Sequence, residues 1–201
     1  MADTLCSALS MRERDTARYL GEIVHQGHFA MIAAEALNAA IKRDVVPAQS
    51  SPPHYASYLA AAQALLTAAA QISKIVDPDA LRRGSAEVKR FGKERAATLR
   101  AIIDPSPLLL SRDVRNSVEH FGERLDKVLC EEPGISLVDA NVSVEGGIFF
   151  EGATWLRHLN LTTLEYSALD DAVPLQDLFD AVMQASERAT AWITAHSASL
   201  V

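Results

Sequence analysis

The sequence predicts a mostly α-helical fold: a four-helix bundle carrying a small C-terminal β element and a final helix. Three observations lead there. Apolar residues recur three and four apart through most of the first 130 positions of the 201-residue chain. Proline-marked breaks divide that recurrence into segments. After Glu131-Glu132-Pro133-Gly134 the pattern turns β-branched and partly alternating.

The first helix is expected over 11–44, with Leu20, Ile23/Val24, Met31, Leu37 and Ile41 on one face. Pro47 to Pro53 ends it and opens the next, since proline breaks a helix interior but suits a first turn. The second helix, 53–77, carries Tyr55, Tyr58, Ala62, Leu65, Ala69, Ile72 and Val76; its alanines let neighbours approach closely, so it is the expected centre of the bundle. The third runs over 85–103 from the N-cap residue Ser85, with Val88, Phe91, Leu99 and Ile102 inward. Asp104-Pro105-Ser106-Pro107 stops it. A fourth, 108–130, carries the stripe Val114, Val118, Phe121, Leu125 and Val128.

Strands are expected between 135 and 167, with a hairpin turn at Gly146-Gly147, and a helix over 174–196. The domain reading is therefore a bundle over 1–131 and a β-containing appendage over 132–201, short enough to pack on the bundle.

Composition narrows the function classes. The chain is acidic overall, net −7, which argues against coating nucleic acid by bulk attraction. Residues 81–130, however, hold eleven Lys/Arg against seven Asp/Glu, so a local basic region could meet phosphates; solvated helix faces explain the same charges. Cys6 and Cys130 stand in no metal-ligand or CxxC spacing and read as reduced thiols. The start of the chain has no signal-peptide pattern, and Tyr58–Val76 is interrupted by Gln63, Gln71, Ser73 and Lys74. The expectation is a cytoplasmic protein with no membrane span. Asn141-Val142-Ser143 and Asn160-Leu161-Thr162 fit the glycosylation pattern, which means little without secretion.

Glu22 and His25 form a Glu-x-x-His step, but a di-iron bundle needs a second such step and none exists; a mononuclear site with His28 is the weaker reading beside a solvated helix face. No phosphate loop, nucleophile elbow or zinc-protease motif occurs, and neither a metal nor a cofactor is expected.

One constellation remains, in Ser111-Arg112-Asp113-Val114-Arg115-Asn116-Ser117-Val118-Glu119-His120. Arg115 is followed by Asn116 and, after four intervening residues, by His120. This resembles the Arg-x(4–6)-His motif of the HEPN superfamily, helical domains named for higher eukaryotes and prokaryotes nucleotide binding. The resemblance covers the motif segment closely and the preceding helices in type and order; the β-rich tail lies outside it.

The resemblance implies a homodimer whose two motifs line one cleft, and a metal-independent ribonuclease. His120 would act on the ribose 2′-hydroxyl or the leaving oxygen, Arg115 would stabilise phosphorane charge, and Asn116 would position one of them, leaving a 2′,3′-cyclic phosphate. The residue types suit these roles: histidine exchanges protons near neutrality, and arginine's fork stays charged. A regulatory protein such as an antitoxin is a further expected partner.

On one continuous helix, at ~100° per residue, Arg115 and His120 would stand about 140° apart, while Asn116 and His120 would be neighbours. The residues thus admit a plainer reading: an Arg115–Glu119 surface pair and a His120 bonded to Asn116. Glu119 and Glu123 would repel phosphate. Gly122, inside the expected helix, points either to close approach by RNA or a second subunit, or to tight packing on the second helix. The competing functions are a non-catalytic RNA- or nucleotide-binding protein of the same fold and a protein-interaction scaffold; the latter predicts an exposed apolar patch, around Phe149, Phe150 and Trp155.

Overall fold

A computed structural model describes residues 11–43, 53–78, 84–111, 120–132, 134, 136–138, 140–143, 154–169 and 171–199. It is mostly helical, with a small C-terminal sheet of short strands and a final helix. In chain order the elements are α1 (Glu13–Arg43), α2 (Pro53–Val76), α3 (Ala86–Ile103), α4 (Pro107–Leu110), α5 (Phe121–Glu131), β1 (Leu137–Val138), β2 (Asn141–Ser143), β3 (Thr154–Trp155), β4 (His158–Asn160), β5 (Glu165–Ala168), β6 (Asp171–Pro174) and α6 (Leu175–His196).

The alanine-rich α2 is the core helix, as its sequence predicts. Ala62, Leu66, Ala69, Ile72 and Val76 are fully buried, and Tyr58 donates from its hydroxyl to the Ala40 carbonyl at 3.1 Å, tying the end of α1 to the start of α2. The segment Ala56–Val76 is long and apolar enough to cross a membrane by length and hydropathy, but in this structure it runs through the centre of the bundle. α1 packs mainly on α2 and on α6.

Arginines close two helix ends. Arg100 Nε donates to the Val76 carbonyl at 2.8 Å and Arg95 Nη2 to the Asp77 carbonyl at 3.0 Å, satisfying the acceptors that the end of α2 leaves open. Arg188 of α6 does the same for α3, donating through Nη1 to the carbonyls of Ile103 and Asp104. Ser85 caps α3 as predicted, accepting from the Val88 amide at 3.3 Å.

Two expectations need correction. The segment 108–130 is not one helix. Ser106 caps a single turn, Pro107–Leu110, whose backbone turns extended at Ser111; His120 is also non-helical, and a further helix starts at Phe121. The apolar spacing from Val114 to Val128 remains helical across the interruption, so periodicity alone could not reveal it. α5 also contains no fully buried residue; Phe121, Leu125 and Val128 are half-buried, because α5 lies on the surface. The fourth long helix against the core is α6, with Leu178, Val182 and Ala189 fully or almost fully buried. On α3, Val88 is exposed rather than inward.

The sheet has the order β2-β4-β5-β6, with a separate β1–β3 pair. β2 and β4 run parallel, and β1 pairs with β3 in the same direction and the same 17-residue offset, so the two pairs read as one parallel ladder with a bend. β4–β5 and β5–β6 are antiparallel. Leu159, Tyr166 and Val173 form a cross-strand row that joins the helical core, with Val142 packed against it at the edge. Their neighbours Asn141, Ser143, His158, Asn160, Glu165 and Ser167 therefore lie on the outer face. The hairpin expected at Gly146-Gly147, and with it Phe149 and Phe150, falls outside the described residues.

Candidate functional site

Of the three residues singled out by the sequence, Arg115 and Asn116 lie outside the described residues. His120 is described: it is the N-cap residue of α5, and its Nδ1 stands 3.2 Å from Glu123 Oε2 one turn on. The histidine side chain is 45% exposed, so solvent and ligands reach it. The helical-wheel relation of Arg115 and Asn116 to His120 does not apply, since His120 is not helical. The Glu123 carboxylate, expected to repel phosphate, stands beside the imidazole. A carboxylate beside one ring nitrogen can orient an acid–base histidine, leaving the other nitrogen for chemistry.

α5, which carries this pair, is fixed to the C-terminal β element at two points, a strand residue and the link between β3 and β4. Arg124 Nη1 lies 2.6 Å from Asp171 Oδ2 on β6, and the Arg157 guanidinium sits 4.4 Å over the centre of the Phe121 ring. Gly122 does not pack on α2: a Cβ built there meets nothing within 4 Å, so the tight-packing explanation fails.

The basic segment is partly consumed by the fold. Arg95 and Arg100 hold the end of α2 and Arg124 pairs with Asp171, whereas Lys89, Arg90 and Lys93 are exposed on α3. Glu22 pairs with Gln26 at 2.7 Å and stands 3.9 Å from His25, on the exposed side of α1; no group of three metal-ligand side chains occurs among the described residues.

Two features escaped the sequence reading. One is an apolar groove of about 600 Å³ between α1 and α2, lined by Phe29, Ile32 and Ala36 on one side and Ala60, Ala64 and Thr67 on the other. Phe29 and Ile32 are more than half exposed there. Met31 had been placed on the buried stripe and is also exposed, because α1 is covered on only part of its circumference. The other feature is on the outer sheet face, where Ser143 Oγ meets His158 Nε2 at 2.8 Å. In the sequence this serine signalled only a glycosylation pattern; nothing local ties it to a histidine fifteen residues on, and parallel pairing of β2 with β4 supplies the link.

No family model matches the chain, and no curated protein or solved structure matches it.

Proposed function

We propose that the protein is a HEPN-like, metal-independent endoribonuclease acting as a homodimer, with His120 as its acid–base group, Arg115 as the phosphate-stabilising cation and Asn116 as a positioning residue. One observation carries the reading: His120 is exposed at the start of α5, with Nδ1 3.2 Å from the Glu123 carboxylate. That arrangement prepares Nε2 to take a proton from a ribose 2′-hydroxyl or to give one to the leaving 5′-oxygen. The amino-terminal end of α5 adds a favourable environment for a phosphate, since the open amides of a helix start attract anions. RNA is the substrate class, and a dimer supplies the second half of the cleft.

The experiment is incubation of labelled single-stranded RNA with the purified protein in EDTA. Fragments ending in 2′,3′-cyclic phosphate are expected, and His120→Ala should abolish them without unfolding the chain. Arg115→Ala should cost roughly 100- to 1000-fold in rate, the usual loss when one transition-state charge donor is removed. Asn116→Ala should cost less. Intact RNA with the wild-type protein would end the catalytic reading.

A protein-interaction scaffold is the competing reading, favoured by the exposed Phe29 and Ile32 beside the alanines of α2. Intact RNA together with an assembly that Phe29→Ser disrupts would decide for it.

A further inference from the structure

The outer face of the sheet carries a second array of reactive groups, independent of the His120 site. Ser143 on β2 and His158 on β4 are joined at 2.8 Å through Oγ and Nε2. The parallel register sets Asn141 beside His158 and Ser143 beside Asn160. Leu159 of the intervening row is fully buried in the core, which turns Asn141, Ser143 and His158 together to the other side. Ser143 is 5% exposed, and the Trp155 ring packs against His158 with centroids 5.5 Å apart.

Asn141 supplies the observation that a purely structural cluster does not explain. Its amide nitrogen Nδ2 is buried and has no hydrogen-bond partner. A buried donor left unsatisfied costs about 1–3 kcal/mol, so native structures rarely keep one without a use. It lies two residues from Ser143 on the same strand and face. Burial also holds the His158 imidazole below its ordinary range, with the Glu165 charge opposing in part, so the ring is neutral and able to accept a proton at neutral pH.

We propose that Ser143, His158 and Asn141 form an acyl-transfer site for carboxylic esters, with Ser143 as nucleophile, His158 as general base and Asn141 as oxyanion donor. Ser143 Oγ bonds to the ester carbonyl carbon while its proton passes to His158 Nε2. The carbonyl oxygen takes the electron pair and accepts from Asn141 Nδ2. The carbon–oxygen bond to the alcohol then breaks, and the alcohol leaves with the proton from His158. Water, deprotonated by the same histidine, releases the carboxylic acid and restores Ser143. Glu165, across from Asn160 on β5, places a negative charge that favours the transient imidazolium.

The test is labelling of the full chain with an alkyl fluorophosphonate, which bonds phosphorus to an activated serine oxygen and expels fluoride, followed by peptide mass mapping. The expected result is one phosphonylated residue, Ser143. Labelling should vanish in Ser143→Ala, and slow by roughly 100-fold or more in His158→Ala and in Asn141→Ala. Ser143-dependent hydrolysis of p-nitrophenyl acetate should follow the same order. Mapping is done on the wild-type chain, so the result stands even where a variant fails to fold. An unlabelled Ser143 at saturating probe in folded protein overturns the proposal, as does labelling confined to other residues.

Discussion

Gly27 of α1 and Ser186 of α6 meet with no space for another carbon: a Cβ added at Gly27 would overlap Ser186 Oγ and stand 2.6 Å from its Cβ. This contact sets the approach of the two helices, and both residues are buried. Alanine gains up to ~1 kcal/mol of helix propensity over glycine, but a clash against a backbone-fixed Cβ costs about 1–3 kcal/mol and wins. Gly27→Ala should therefore lower the free energy of denaturant unfolding by about 1–2 kcal/mol. Adding Ser186→Gly should recover part of that, and strict additivity of the two changes would refute the contact.

The tether of α5 gives a second prediction. Arg124 and Asp171 are both mostly covered, so their pair is stronger than an exposed one. Arg124→Met should cost about 1 kcal/mol, the upper end of what exposed ion pairs contribute. Amide exchange should speed up along α5 well before the bundle opens. Unchanged protection in α5 would mean that the Phe121–Arg157 contact and the half-buried Leu125 and Val128 hold it without the ion pair.

The third concerns Glu123. If it orients His120 for RNA cleavage, Glu123→Gln keeps the shape but loses the charge that supports the imidazolium. Turnover should fall by about 10- to 100-fold, by analogy with groups that orient metal-bound histidines. The pH–rate profile should shift while KM changes little. A profile that keeps its wild-type shape and height would leave Glu123 as a bystander.

Sequence periodicity captured α2 because a helix at the centre of a bundle is apolar on several sides, and Tyr58, Leu65, Ala69 and Ile72 are all buried as expected. It captured α6 for the related reason that Leu175, Leu178 and Val182 recur on one face. It failed where the same spacing survives a backbone break, as at Ser111 and His120. It could not show that Phe29 and Ile32 remain uncovered, since a stripe records what is apolar and not what lies against it. At the candidate site, the nearness of Glu123 to His120 Nδ1 was not legible, since local charge counts say nothing about which ring nitrogen a carboxylate approaches. The Ser143–His158 pair was invisible because it depends on strand register.

The last prediction is a dependence of stability on pH centred on His158. Burial pushes its pKa below the ordinary value, and the Glu165 charge offsets only part of that. Facing it are Ser143 from β2, Trp155 from β3 and Glu165 from β5. Because the folded-state pKa is depressed, the unfolded chain binds the proton first as pH falls. The contribution of a neutral His158 is thus complete above a pH of about 6.5 and is lost as pH falls from there through the lowered folded value. His158→Gln retains a side chain able to hydrogen-bond Ser143 but does not titrate. Between pH of about 7 and about 5.5, where most carboxylates stay ionised, the wild-type melting temperature should fall more steeply than that of the variant. Parallel curves would show that His158 takes up its proton equally in both states. Tyr166 has the opposite sign: burial raises its pKa, although Gln63 and Arg157 pull it down. Its contribution holds below a pH of about 10 and is lost only as pH rises through the raised folded value, so it leaves the acid limb to His158.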